Sequence, residues 1–338
     1  MLIERVRDLQ RAGHLDLPAI GAGATAERWQ ALAALARGDV SEARIAESHV
    51  DAVQILSEAG RSPAPGCLYG VWASEHPRWT VTAVAGSDGG AKLQGAKAFC
   101  TGADLLDRAL LTVRLVGAGA RHVGTGAVTP AAGDAGVLLV DVDLQRLGSD
   151  RIDTSMWATP ALADTRTAVV DLTGVEIAAA DVVGAPGWYL DRPGFWDGAI
   201  GPAACWAGAA LGLVDHALAD PPRDPHGLAH LGALAALAWS LETTLAQAGR
   251  EVDARWSADD ADAARHRALI VRHHVDVACA EVQDRFARAL GPRPLVSAPS
   301  VIARNEALSL YRRQCHAERD LEALGRLQRP LRPPDAPG

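Results

Sequence analysis

Apolar and polar positions fall into three regimes along the chain. Between residues 26 and 60 the spacing is helical. One helix runs through Trp29, Leu32 and Leu35 to Gly38 with Thr25 as its cap. A second starts at Ser41, ends at Gly60 and carries Ile45, Val53, Leu56 and His49 on one stripe. Arg61-Ser62-Pro63-Ala64-Pro65-Gly66 reads as a linker. From 67 to 183 the period drops to two. Trp79 to Val84, Gly95 to Ala103, Asp107 to Val113, Val137 to Val142 and Thr167 to Leu172 are strand-like, and Gly86-Ser87-Asp88-Gly89-Gly90 is a turn. From Trp188 onward the period is helical again. Leu228, Leu231, Leu234, Leu241 and Leu245 form one stripe, and Val271, Val275, Val282 and Phe286 another. Gly291-Pro292-Arg293-Pro294 stops that second helix, and a last helix is expected from about Pro299 to Gly325.

This pattern predicts an α+β chain in four parts. They are a short helical segment (1–65), a β-barrel middle domain (66–184), a C-terminal helical bundle (185–328) and a Pro-rich tail (329–338) expected to be disordered.

Charge and cysteine usage narrow the function classes. The net charge is -8, from 33 basic and 41 acidic residues in mixed order, so nucleic acid is not an expected partner. Five scattered cysteines, at 67, 100, 205, 279 and 315, form no C-x-x-C and suit reduced thiols in a cytoplasmic protein. Met1-Leu2-Ile3-Glu4-Arg5 carries charge where a signal peptide has an apolar core. Ala199 to Val214 is the longest uncharged apolar stretch, shorter than the roughly 20 residues of a span, so a buried helix rather than a membrane helix is expected.

Two short segments carry the chemistry. W-A-S-E-H-P lies at Trp72 to Pro77 and G-A-K-A-F-C-T-G-A at Gly95 to Ala103, with strands between and after them. No G-x-G-x-x-G occurs. The pair, in this order, resembles the middle domain of acyl-CoA dehydrogenases. The resemblance extends through Met156-Trp157-Ala158-Thr159-Pro160 and residues 165 to 183 to a Gly184-Ala185-Pro186-Gly187 turn into the bundle. It implies non-covalent FAD, with the Ser74 and Thr101 hydroxyls against the isoalloxazine ring and Phe99 in the place of the usual tryptophan. Read without it, the same residues are a strand-edge serine, a strand threonine and a core phenylalanine. The resemblance also implies that Arg223, between two bundle helices, holds the FAD diphosphate of a neighbouring subunit, hence a homodimer or homotetramer. One departure is clear: the Gly-Ser-Asp that usually follows the first motif is replaced by Arg78-Trp79-Thr80.

Acyl-CoA dehydrogenases remove the substrate α-proton with a glutamate near the end of the chain. The matching stretch here is Arg312-Arg313-Gln314-Cys315-His316-Ala317-Glu318-Arg319-Asp320, with no glutamate at Gln314 to His316. Asp197 lies one turn before the second place where some family members carry the base. His316 instead resembles the branch in which reduced flavin meets oxygen, where an imidazole serves as a proton donor or acid–base group. Three functions follow as expectations. One is an FAD-dependent oxidoreductase of an acyl thioester or related small molecule. Another is a flavin monooxygenase or oxidase using His316, and the third is a non-catalytic binding homologue. Trp188, Tyr189, Phe195 and Trp196 suit either a pocket wall or a core. His49 reads as a core histidine, and no metal site is expected among His266, His273 and His274.

Overall fold

The computed structural model describes residues 1–85, 90–116, 134–222, 224–256 and 261–328. Three helices come first: α1 (Leu2–Arg11), α2 (Thr25–Gly38) and α3 (Val40–Glu58). Nine strands follow: β1 (Tyr69–Trp72), β2 (Val81–Ala85), β3 (Ala91–Cys100), β4 (Arg108–Val116), β5 (Asp134–Asp143), β6 (Ile152–Asp153), β7 (Ala168–Asp171), β8 (Glu176–Ile177) and β9 (Val182–Val183). The rest is helical: α4 (Trp188–Asp191), α5 (Phe195–Gly198), α6 (Ile200–Ala219), α7 (Pro225–Arg255), α8 (Ala261–Leu290), α9 (Arg293–Ser297), α10 (Pro299–Tyr311) and α11 (Glu318–Leu327). The tail from 329 and Arg223 lie outside the described residues.

These elements form two compact units, and each is discontinuous in sequence. The first holds Met1–Asp16 and Arg44–Phe195; the second holds Leu17–Ala43 and the chain from Trp196 onward.

In the first unit the sheet runs in the order β6-β7-β3-β2-β4-β5-β9. Among the described residues no pairing joins its two ends, so the path is open where the sequence pattern predicted a barrel. Both terminal strands are only two residues long, too short to carry a closing ladder. One edge of β4 is shared. β1 pairs parallel to it at Arg108–Leu111 and β2 parallel to it at Arg114–Val116. The segment between β1 and β2 therefore leaves the sheet opposite Thr112. The apolar face of α3 packs with the sheet through Ile55, Leu56, Tyr69, Leu110 and Leu139. Trp188, Tyr189 and Phe195 join this core, the packing alternative of the aromatic cluster, with Tyr189 and Phe195 edge to face at 5.5 Å. Arg192 is buried beside them against Glu58 and Asp51.

In the second unit α6 is almost wholly buried, with Cys205, Trp206 and Ala207 to Ala210 inside. A Cβ on Gly208 would collide with the Ala33 carbonyl of α2, and one on Gly249 of α7 with the Ala26 backbone. Glycines at these two places let α2 lie against both helices. The Ala199 to Val214 stretch is thus the buried helix expected of it. Its small residues serve packing inside the unit. By length and composition alone two stretches suffice to cross a membrane, Phe195–Ala219 and Pro225–Arg255. The apolar window of the first is 83% buried, that of the second 17%.

Capping differs from expectation. The Asp39 carboxylate, not Ser41, accepts the N–H groups of Ser41 and Glu42 at the start of α3. Thr25 sits inside α2, where its hydroxyl accepts from Gly21 N–H and donates to Asp253. Asp224 caps α7 through the N–H groups of His226 and Gly227, with Pro225 in the first turn. The expected final helix is broken in two. α10 ends at Tyr311, and Ala317, at φ 46° and ψ -114°, precedes α11.

Candidate active site

The two motifs meet in the first unit. Between Lys97 and Cys100 the pairing of β3 with β7 shifts register, and Phe99 takes φ 58°. A β-bulge of this kind interrupts the in–out alternation of a strand. Lys97, Ala98, Cys100 and Thr101 are thereby buried while the Phe99 ring is turned out, 40% exposed. Gly95, at φ 106°, starts the kink; a Cβ there would strike the Thr80 carbonyl. The resemblance expected a ring laid along a flavin, and the bulge supplies an outward aromatic face.

Lys97 holds the first motif in place. β1 and β2 part company along β4 near Thr112, whose carbonyl meets the Lys97 ammonium. The distance is 2.9 Å, and the same ammonium meets the Thr112 hydroxyl at 2.8 Å and the Glu75 carboxylate at 3.1 Å. All three ammonium protons are so used. Burial lowers the Lys97 pKa from its ordinary value, with Glu75 acting in the opposite sense. Glu75 stands between Ser74 and His76, so this contact ties the segment that carries them to β3. The His76 ring lies 5.9 Å from Phe99 and 4.5 Å from Trp79, with its Nδ1 accepting the Arg78 N–H at 3.1 Å.

Thr101 is the best-determined hydroxyl of the site. Arg44 Nη2 donates to its Oγ1 at 3.3 Å, and Thr167 Oγ1 donates to it at 3.2 Å. A hydroxyl has two acceptor lone pairs and one proton. With both lone pairs so engaged, the proton of this buried hydroxyl is left for a further acceptor. The Trp72 indole N–H fixes the backbone by donating to the Thr101 carbonyl at 3.0 Å. Arg44 pairs with the buried Glu47 at 3.3 Å. Neither was evident from sequence, because nothing in the 44–47 spacing marks which helix face meets β3.

The first motif, with Ser74, and the second, with Phe99 and Thr101, are held together by Lys97–Glu75 and His76–Phe99, and offer two hydroxyls and an aromatic face. This donor set fits a planar ring with a polar, electron-accepting edge, the chemistry of an isoalloxazine. His49, on α3, accepts the Tyr69 N–H at 3.2 Å through Nδ1, the satisfied core histidine the sequence suggested.

The other two residues belong to the second unit. The Asp197 carboxylate is buried and accepts from Arg267 at 2.8 Å. A base already engaged by a guanidinium is a poor proton acceptor. His316 sits at the break between α10 and α11 with its ring largely exposed. Asp320 holds it twice, accepting its main-chain N–H at 3.1 Å and facing Nδ1 at 3.3 Å. With Nδ1 turned to a carboxylate, Nε2 is the outward nitrogen. Arg272 fixes the approach to this turn by donating to the Gln314 carbonyl at 2.6 Å. Arg223 lies outside the described residues. All five cysteines are free, and among the described residues no cluster of metal-ligating side chains occurs.

No family model and no curated protein sequence matches this chain. Solved structures do. TdsC of Paenibacillus sp. A11-2, a dibenzothiophene monooxygenase, is 18% identical with a TM-score of 0.73, covering 94% of this chain and 88% of that one. It has also been solved with FMN and indole. KijD3, in complex with FMN and dTDP-3-amino-2,3,6-trideoxy-4-keto-3-methyl-D-glucose, is 16% identical with a TM-score of 0.75, covering 96% and 86%. Methanesulfinate monooxygenase MsuC of Pseudomonas fluorescens is 17% identical with a TM-score of 0.69, covering 96% and 91%. At such identities the likeness shows the fold alone: this chain has the fold shared by these structures.

Proposed function

We propose that this chain is a flavin-dependent monooxygenase acting on a small organic molecule. The observation that carries the reading is His316. In the segment where acyl-CoA dehydrogenases keep a glutamate, this chain has an exposed imidazole held by Asp320. An imidazole so held is the kind of group that can pass a proton to or from a substrate. The donor set of Ser74 and Thr101 suits the ring of a flavin, which when bound in reduced form would supply the two electrons that activate dioxygen. In the first unit Thr101 would donate toward the ring and Phe99 would shield it from water; in the second, His316 is the group suited to move the proton that oxygen chemistry requires. Two fold neighbours bound to FMN, one of them also with indole, support the flavin and a small aromatic or heterocyclic substrate. The ring contacts argued here are common to FMN and FAD. FAD is the finer expectation, and chromatography of the flavin released from the protein separates the two.

The test is an anaerobic titration of the purified chain with oxidised and reduced flavin, followed by oxygen uptake with indole present. Binding of reduced flavin and substrate-dependent oxygen consumption are expected. Anaerobic bleaching of bound flavin by an acyl-CoA would restore the dehydrogenase reading. A chain that binds no flavin in either state would be a non-catalytic homologue.

We further propose a homo-oligomer, built on α7 and α8 rather than on α6. Leu228, Gly232, Ala235 and Trp239 line the outer face of α7, with Trp239 69% exposed. Ile270 and Val277 flank His274 on α8, which bonds Ser240 of α7 at 3.0 Å. An apolar stripe of this kind on a helical bundle suits a second copy of itself. Light scattering should give a dimer or larger for the wild type and a monomer for Trp239→Glu. A monomeric wild type at micromolar concentration would refute it.

A further inference from the structure

We propose that the Arg44–Glu47 pair, acting through Thr101, sets how strongly this site prefers reduced over oxidised flavin. The proposal rests on the flavin reading above and assigns a positioning and electrostatic role to two residues of α3. Arg44 delivers a charge-assisted hydrogen bond to Thr101 Oγ1 at 3.3 Å, and its other terminal nitrogen pairs with Glu47 at 3.3 Å. The Arg44 side chain is 16% exposed and that of Glu47 6%, so water screens this contact poorly.

The physical consequence has a sign. A cation donating to a hydroxyl oxygen draws electron density from it and makes its remaining proton a stronger donor. Thr167 meets the same oxygen at 3.2 Å, so the Thr101 proton is kept for a further acceptor. Reduction of a flavin adds electron density to its ring, so a stronger donor and a nearby cation favour the reduced form. Glu47 opposes Arg44: it neutralises part of the guanidinium charge. The two members of the pair therefore push the preference in opposite directions.

The experiment measures dissociation constants of the full-length protein for oxidised and for anaerobically reduced FMN, and takes their ratio. Arg44→Met should shift the ratio roughly tenfold against reduced flavin, the size expected when a charged hydrogen bond is lost. Glu47→Gln should shift it the other way. Arg44→Lys should lie between wild type and Arg44→Met. A merely structural role for Arg44 would weaken both affinities alike and leave the ratio unchanged, which would overturn the proposal. Shifts of the same sign in Arg44→Met and Glu47→Gln would also overturn it. Should Arg44→Met not fold, Glu47→Gln and Arg44→Lys carry the test. Failure of the flavin reading looks different: the wild type would then bind neither form.

Discussion

Replacing His316 by alanine should reduce turnover by roughly 10²–10⁴-fold, the usual contribution of a placed acid–base group, while flavin affinity stays at the wild-type value. The expectation follows from how the residue is held. Arg272 bonds the Gln314 carbonyl, Ala317 takes a backbone conformation rare for a residue with a Cβ, and Asp320 binds both His316 main-chain N–H and ring. Backbone strain of this sort costs about 1–3 kcal/mol and is kept where neighbouring contacts enforce it. The side chain itself supports nothing: its ring is 63% exposed, so alanine leaves no cavity. Asp197→Asn should change turnover far less, because that carboxylate is occupied by Arg267. Stopped-flow absorbance of the flavin with each variant decides the ordering. Anaerobic bleaching by acyl-CoA that survives in His316→Ala and disappears in Asp197→Asn would reverse it.

Acid should destabilise the first unit through His49. Burial lowers its pKa from 6.5 to about 4, with Asp16 and Asp107 opposing. The folded state therefore keeps the ring neutral, while the unfolded chain takes up a proton below pH 6.5. Stability is complete above that pH and is lost as pH falls toward 4, by on the order of 3 kcal/mol. His49→Asn keeps an acceptor for the Tyr69 N–H and removes the titration. Urea unfolding at pH 7 and pH 4.5, compared between the two proteins, should show a flatter pH dependence for the variant. Equal slopes would mean that other groups carry the acid sensitivity.

Much of this was legible in the sequence, and the boundary of legibility is physical. Alternation marked β3, which buries one face along Ala91 to Gln94, and continuous apolar runs marked β4, β5 and β7, which are buried on both faces. Leucine and valine stripes marked α7 and α8 because each helix buries one side. Ser74, Phe99 and Thr101 were singled out by the resemblance of the two motifs, and Gly95 and Gly102, both at positive φ, bracket the second of them. What periodicity cannot report is a partner. Nothing in the sequence of α2 says that it packs with α6 rather than with α3. Arg44 was passed over because its meaning lies entirely in a contact 57 residues away. The break at Cys315 to Ala317 was missed because no glycine or proline marks it. The open sheet was read as a barrel because strand patterns do not reveal whether the last two-residue strands reach each other.

The withdrawal of α2 into the second unit has a consequence for how the chain is made. α2 ends at Gly38, and α6, whose Gly208 lies against it, begins only at Ile200. At ordinary ribosomal speeds of about 5–20 residues per second, α2 waits roughly 8–30 s for its first partner. During that time Trp29, Leu32 and Ala36, all buried in the finished protein, are in water. The first unit can meanwhile close around the omitted segment, because its own two pieces are complete by Phe195. The nascent protein therefore spends its synthesis with a finished sheet and an adhesive loop hanging from it. That loop is where a chaperone would bind and where crowding at the polysome would do harm.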